Sequence, residues 1–104
     1  MEFKKEINIL GTTYDIHTAD EMEFAGLIEA KASGMTFTLE KKIIIDGEAE
    51  DMWHVIRHEI VHAMLYESGL WESTKWACNE EIVDWIAMQF PKLNDIFTEM
   101  QSSI

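Results

Sequence analysis

The stretch RHEIVHAMLYESGL, from Arg57 to Leu70, places two histidines four residues apart, with a glutamate directly after the first. With His54 included, three of the four histidines of this 104-residue chain lie within nine residues. Apolar residues recur around them at the spacing of an amphipathic helix. The pattern predicts a long helix from Glu48 to Ser68, with Gly69 in the position of a helix C-cap.

This helix is expected to bury two faces, one apolar and one that carries imidazoles. His58 and His62 are four residues apart, so their Cβ atoms should lie about 5–6 Å from each other. Their ring nitrogens can then converge on one metal ion, with bonds of about 2.0–2.1 Å. Glu59 lies about 100° around the helix, too far to be the natural third ligand but close enough to take a proton from a metal-bound water. The alternative is a pair of ordinary core or surface histidines.

A third ligand is expected in the stretch ACNEEIVDWIA, residues 77–87. A catalytic zinc site uses three protein ligands and keeps one open position. On a predicted helix from Asn79 to Phe90, Glu80 and Asp84 share a face with apolar neighbours, so Glu80 is the favoured ligand. Asp84 could then accept a hydrogen bond from the outer ring nitrogen of a ligand histidine. Glu81 is expected to face solvent and remains the alternative ligand.

The N-terminal stretch EINILGTTYDIHT predicts a β-hairpin. Gly11–Thr12 would form a two-residue loop of type II′, with glycine at its first position. This register pairs Ile9 with Tyr14 and Ile7 with Ile16, which places all four side chains on one face of the hairpin.

Further elements are predicted between the hairpin and the C-terminus. Asp20 and Glu23 resemble a capping box, which predicts a helix from Glu21 to Ala32 that Gly34 ends. The runs MTFTLE and KKIIID predict two strands. Proline favours the first turn of a helix, so a last helix is predicted from Pro91 to Gln101.

Strands come first and helices after, which predicts an α+β fold. The expected architecture is a β-hairpin and small sheet packed on the HExxH helix and on a second helix that bears the third ligand. A length of 104 residues suits one domain, spanning residues 1–104, with one core.

Composition and charge exclude several classes of function. Twenty acidic and eight basic side chains give a net charge of −12, which disfavours nucleic acids and anionic membranes as partners. Cys78 is the only cysteine, so no internal disulfide can form, as is usual in a reducing compartment. The N-terminus lacks the apolar stretch of a signal peptide, and nowhere do 18 apolar residues follow one another. A cytoplasmic location is therefore expected.

The segment HEIVH, followed by NEEIVD with Glu80 18 residues after His62, resembles the gluzincins, the thermolysin-like zinc metallopeptidases. The second helix of that family carries the pattern Asn-Glu-x-x-Ser-Asp. Asn79 and Glu80 match its first two residues, and the glutamate is the third zinc ligand of the family. Asp84 matches the aspartate that orients a ligand histidine, whereas Val83 replaces the serine.

The resemblance covers about residues 54–87 and implies a minimal zincin-like fold with Zn²⁺ as cofactor. It implies zinc ligation by His58, His62 and Glu80. It also implies that Glu59 is the general base for hydrolysis of a peptide or protein substrate. Such enzymes lay the substrate along a sheet edge, which here could be either of the two predicted strands. The stretches RHEIVHAMLYESGL and NEEIVDWIAMQFPKL are also similar to small phage- or prophage-encoded proteins described as zinc peptidases.

One catalytic group of the family has no clear counterpart. Tyr66 lies one turn beyond His62 and could reach the metal-bound oxygen as an oxyanion donor. It could equally be a tyrosine that packs at the domain boundary. The alternative function is therefore a catalytically inactive, zinc-stabilised interaction module on the same scaffold. The substrate and the oligomeric state are not indicated by the sequence.

Overall fold

The computed structural model describes residues 1–102, in which four strands form one mixed sheet. The strands are β1 (Lys4–Ile9), β2 (Thr12–Thr18), β3 (Gly34–Phe37) and β4 (Lys42–Ile45). Their order across the sheet is β1-β2-β4-β3. The central pair, β2 and β4, is parallel, and the two outer pairs are antiparallel. This order leaves β1 and β3 at the edges of the sheet.

The described residues form four α-helices and a short 3₁₀ turn. They are α1 (Glu21–Ala30), α2 (Met52–Glu67), α3 (Leu70–Ser73), the 3₁₀ turn (Trp76–Cys78) and α4 (Glu80–Ser102). The predicted α+β class is therefore confirmed. No helix among residues 1–102 is long and apolar enough to cross a lipid bilayer.

The N-terminal hairpin forms, but its predicted register is wrong by two residues. Ile7 pairs with Tyr14, not Ile9 with Tyr14 as expected. The loop is Leu10–Gly11, with φ angles of 52° and 92°. Positive φ at both positions is the type I′ geometry that matches strand twist, and the Asn8 side chain accepts a hydrogen bond from the Gly11 amide. A slip of two residues keeps the same side chains on the buried face, so the pattern alone could not exclude it.

The capping box at the start of α1 is confirmed, because Asp20 and Glu23 each bond the other's backbone amide. The helix ends at Ala30, two residues earlier than predicted. Lys31 adopts the left-handed conformation, with φ of 55°, and its backbone N–H closes the last turn. A lysine thus takes the capping role expected of Gly34.

Two apolar clusters share α2. The first joins α2 to the sheet and consists of Ile9, Tyr14, Ile16, Ile43, Ile45, Met52, Ile56 and Ala63. The second joins α2 to α4 and the 3₁₀ turn and consists of Val61, Leu65, Ala77, Val83 and Ala87. Helix α2 therefore lies between the sheet and α4. It buries two faces as expected, but the second face contributes the apolar Val61 and Leu65, and the imidazoles are only partly buried.

Helix α2 begins at Met52 rather than at Glu48. The Asp51 side chain accepts a hydrogen bond from the His54 amide at 3.1 Å, which caps the first turn. The Glu48 amide is instead held in a turn by the Asp46 side chain at 2.9 Å. Asp46 thus holds the chain in a turn at Glu48, and Asp51 caps the helix that begins at Met52.

The two C-terminal helices predicted on either side of Pro91 are in fact one helix, and this prediction was wrong. Proline removes one hydrogen bond to the preceding turn and costs about 3 kcal/mol inside a helix. Helix α4 nevertheless continues from Glu80 to Ser102 with Pro91 inside it. Apolar residues keep the same helical period on both sides of the proline, so the backbone follows one helix.

Gly34 allows β3 to approach α2 closely. A Cβ atom at this position would lie 2.9 Å from Val55 Cγ1, 3.0 Å from Glu59 Cγ and 3.2 Å from the Ile44 carbonyl oxygen. The glycine predicted to end a helix therefore serves a close strand–helix contact.

We expect Gly34→Ala to destabilise the fold by about 1–3 kcal/mol, because the strand or the helix must move to admit the methyl group. Gly26→Ala is the matched control, since a Cβ at Gly26 in α1 meets nothing within 4 Å. The control should be neutral or stabilising by up to about 1 kcal/mol. Urea unfolding measures both, and equal stability of the two variants would contradict the close-contact explanation.

Polar contacts tie α1 to the sheet through His17. Its Nδ1 lies 2.8 Å from Asp15 Oδ1, and its Nε2 lies 3.0 Å from Glu23 Oε1. Lys42 on β4 lies 3.3 Å from the other oxygen of Glu23. Burial by itself lowers the pKa of His17, but the bonds to the two carboxylates outweigh it and raise the pKa above its ordinary value. Burial likewise raises the pKa of Glu23, and its hydrogen-bond donors lower it overall.

We expect this contact to stabilise the protein most between about pH 4.3 and pH 6.5, the ordinary pKa values of glutamate and histidine. The His17 contribution is complete below its unfolded pKa and is lost as pH rises through the raised folded pKa. The Glu23 contribution is lost as pH falls through its lowered folded pKa. The loss of unfolding free energy caused by His17→Gln should therefore be larger at pH 5.5 than at pH 8.5. An equal loss at both pH values in urea titrations would contradict the charged-pair assignment.

Candidate metal centre

Helices α2 and α4 bring His58, His62 and Glu80 together. His62 Nε2 lies 2.9 Å from Glu80 Oε1, and His58 Nε2 lies 3.0 Å from Glu80 Oε2. The two Nε2 atoms are 3.1 Å apart. The three ligand atoms all lie within 4.8 Å of one another, so the group could hold a metal ion.

The chemistry of this cluster favours a cation. Two imidazole nitrogens and a carboxylate face a common point. A proton shared there can satisfy only one nitrogen–acceptor contact at a time, whereas a metal ion can be bound by all three groups together. Burial, together with the neighbouring His58, lowers the pKa of His62 below its ordinary value, although Glu80 opposes the shift. His62 is therefore neutral near pH 7, with a lone pair available as a metal ligand.

The cluster is buried on the α2 side and open on the α4 side. The side chains of His58 and His62 are 16% and 13% exposed, whereas that of Glu80 is 69% exposed. An ion held here would rest on two fixed imidazoles and remain reachable from solvent past the carboxylate.

The start of α4 explains why Glu80 takes this position. The Asn79 side chain accepts a hydrogen bond from the Ile82 amide at 2.9 Å, which caps the helix directly before Glu80. The preceding 3₁₀ turn is anchored by Ala77, which is fully buried. Glu81, the alternative ligand, is exposed and lies outside the group of three.

Asp84 links the cluster to a third histidine. Its Oδ1 accepts from His58 Nδ1 at 2.8 Å and from His54 Nε2 at 2.7 Å. Burial raises the pKa of Asp84, but the two imidazole bonds outweigh it and lower the pKa overall. The bond at Nδ1 leaves His58 Nε2 directed at Glu80. Sequence reasoning assigned Asp84 to a ligand histidine but left the partner of His54 open.

Glu59 is the buried charged residue of the site, with 7% exposure. Thr36 of β3 donates its hydroxyl hydrogen to Glu59 Oε1 at 2.8 Å, and the Glu59 carbonyl oxygen lies 3.0 Å from the same hydroxyl. Burial raises the pKa of the Glu59 carboxyl above its ordinary value, against the opposing effects of Thr36 and His58. Sequence reasoning missed Thr36; the available signal was the alternation in MTFTLE, which places Thr36 and Thr38 on one face of the predicted strand.

Tyr66 lies against a basic side chain of the adjacent loop. Lys41 Nζ is 4.9 Å from the centroid of the Tyr66 ring, and the same ammonium lies 2.7 Å from Glu67 Oε2. Tyr66 is not among the residues that line the two clefts beside the imidazoles. Its role as an oxyanion donor stays a prediction.

Two adjoining clefts flank the imidazole pair, with volumes of about 330 and 400 Å³. Both are lined by Ala32, Gly34, Glu59 and Glu80. The larger one also runs along β3 as far as Thr38. An extended ligand can therefore lie beside β3 and reach the imidazoles.

No family model, curated protein or solved structure matches this chain. Its function is therefore inferred from the residues of the site.

We expect the protein to bind one divalent metal ion, and Glu80→Ala to lose it because two imidazoles alone remain. Glu81→Ala is the matched control, since it removes the neighbouring exposed carboxylate and should retain the metal. Mass-spectrometric metal analysis after dialysis measures both variants. Metal loss in the control instead, or no metal in the wild type, would contradict the ligand set.

Asp84→Asn should weaken metal binding by about 10–100-fold while the fold is kept, because Asp84 orients His58 without binding the ion. Competition with a chelator of known affinity measures this change. Unchanged affinity would show that the Asp84–His58 bond does not support the ligand.

Proposed function

We propose that the protein is a zinc-dependent hydrolase that cleaves peptide bonds, built on a minimal zincin-like fold. The observation that carries this proposal is the convergence of His58, His62 and Glu80, with the buried carboxyl group of Glu59 adjoining the same clefts. Two nitrogens, one oxygen and an open fourth position form one of the ligand sets of catalytic zinc.

The donor spacing supports zinc. Ligand atoms around a tetrahedral ion with bonds of about 2.0–2.1 Å lie about 3.4 Å apart. The contacts among His58, His62 and Glu80 measure 2.9–3.1 Å, so the ion would be admitted by a small outward movement of the exposed Glu80 together with a slight separation of the two imidazole rings. Zinc held here would supply Lewis acidity and lower the pKa of a bound water towards ~7.

Glu59 acts as the general base. Its raised pKa brings the carboxyl group closer to neutral pH, where proton uptake and release are both efficient. Thr36 holds one carboxylate oxygen, which restricts the rotation of the side chain. The same group can return the proton to the leaving amine.

His58 is kept in one tautomer by Asp84. The bond at Nδ1 places the ring proton there and directs the lone pair of Nε2 to the ligand cluster. Because His54 binds the same oxygen of Asp84, the carboxylate has two imidazole partners.

The substrate lies along β3. Of the two runs predicted as the substrate edge, β3 is at the sheet edge and β4 is interior. The outer backbone groups of β3 can bond an extended peptide, which then passes the larger cleft beside Glu59 and His62.

A second candidate function is a zinc-stabilised interaction module without turnover. The observation that favours it is the contact of Tyr66 with Lys41, which leaves the oxyanion donor unassigned. Both candidates include metal binding, so only a turnover measurement separates them.

Glu59→Gln should keep the metal and lower the hydrolysis rate by about 10²–10⁴-fold, because the amide cannot accept the proton. Zinc-loaded wild-type protein and the variant are incubated with a peptide library, and cleavage is followed by mass spectrometry. Glu81→Gln is the matched control and should cleave at the wild-type rate.

The outcomes separate the two candidates. No cleavage by zinc-loaded wild-type protein would favour the interaction module. Cleavage that survives Glu59→Gln unchanged would contradict the assigned base.

A further inference from the structure

The C-terminal half of α4 carries an apolar surface outside the two core clusters. We call it the α4 stripe, and it consists of Phe90, Leu93, Ile96, Phe97 and Met100. These side chains are between 40% and 60% exposed. At about 100° per residue they fall on one side of the helix, at the three- and four-residue spacing of a helix–helix interface.

The face of α4 that packs on α2 does not continue into this half. Val83 and Ala87 are buried against α2, but the positions that follow them on that face are the polar Asn94 and Thr98. Residues 91–102 are all exposed. A contiguous apolar surface that is exposed in this way is typical of a site of protein–protein contact.

We propose that the partner is the α4 stripe of a second copy of this chain, packed antiparallel. The stripe is self-complementary under a two-fold axis. When Leu93 opposes Phe97 of the second copy, Phe90 opposes Met100 of the second copy, and the reciprocal pairs form at the same time. Such an interface is isologous and closes at two copies.

Charge complementarity supports the same register. Lys92 and Glu99 are seven residues apart and lie on the same flank of the stripe. In the antiparallel pairing, Glu99 of the second copy lies opposite residue 91. Lys92 is one residue from that position, or about 1.5 Å along the helix axis. The two-fold axis therefore creates two ion pairs, whereas a parallel pairing would place the two charged flanks on opposite edges of the interface, where Lys92 and Glu99 do not meet.

The shape of the protein permits this pairing. Helix α2 and the 3₁₀ turn pack against the N-terminal half of α4, from Val83 to Ala87, and the sheet lies on the far side of α2. In an antiparallel pair these bodies lie at opposite ends, so the two C-terminal halves can meet without obstruction. The interface is small, and a dimer with a dissociation constant in the micromolar range is expected.

Sedimentation velocity tests the proposal, at protein concentrations from about 1 to 500 μM. The buffer contains about 0.15 M salt, which screens the repulsion between two copies that each carry a net charge of −12. The wild type should convert from monomer to dimer with rising concentration. Phe97→Glu should weaken the dimer at least tenfold. Thr98→Glu, which adds the same charge on the opposite side of α4, should leave it unchanged. Circular dichroism verifies that each variant remains helical.

A charge exchange tests the register without touching the apolar residues. Lys92→Glu alone should weaken the dimer several-fold, and adding Glu99→Lys to the same chain should restore it. Failure of the double variant to recover would overturn the proposed pairing.

Oxidative cross-linking tests the direction of the helices, in a Cys78→Ser background. Ile96→Cys lies near the two-fold axis and should form an intermolecular disulfide. Met100→Cys should not, because the two sulfur atoms would lie about 15 Å apart. Equal cross-linking at both positions would overturn the antiparallel arrangement. A monomer at every concentration would overturn the second copy as the partner of the stripe.

Discussion

The candidate site depends on the close packing of α2 against the first half of α4. Val83 and Ala87 are almost fully buried, and both are small, so the helix backbones approach closely. The same side of α4 carries Glu80 and Asp84 at the rim of the contact. The apolar packing therefore sets the distance between these carboxylates and the imidazoles of α2.

The burial of each polar group at this rim determines how readily the group ionises. The imidazole of His62 is desolvated enough to be neutral, while Glu80 remains in contact with solvent. Glu59, on the sheet side of α2, is buried more deeply, and its carboxyl group is consequently harder to ionise. Helices α2 and α4 thus present three neighbouring groups in three different environments. This separation is what acid–base chemistry beside a metal ion requires.

Helical periodicity explains why much of the site could be predicted from the sequence. Residues four apart on a helix are neighbours in any α-helical fold, so the faces that carry His58 and Glu80 followed from spacing alone. The α+β class followed from the order of the elements. In contrast, the Thr36–Glu59 and His54–Asp84 bonds join separate elements, and their formation depends on packing that no local pattern encodes. The hairpin register was missed for a related reason, because two registers bury the same face.

The continuity of α4 could not be predicted either, because proline favours the first turn of a helix and is disfavoured in its interior, so the local preference of Pro91 indicates a break that the chain does not make. Because α4 is continuous, it joins a first half that is packed on α2 to a second half that is exposed. Before Pro91 the helix buries small residues against α2, and after it the helix exposes large ones. Because Glu80 and Asp84 both lie in the first half of α4, the geometry of the candidate metal centre does not require the α4 stripe to be covered. Pairing of the stripe would instead stabilise the second half of α4, and would hold two candidate metal centres at opposite ends of one dimer.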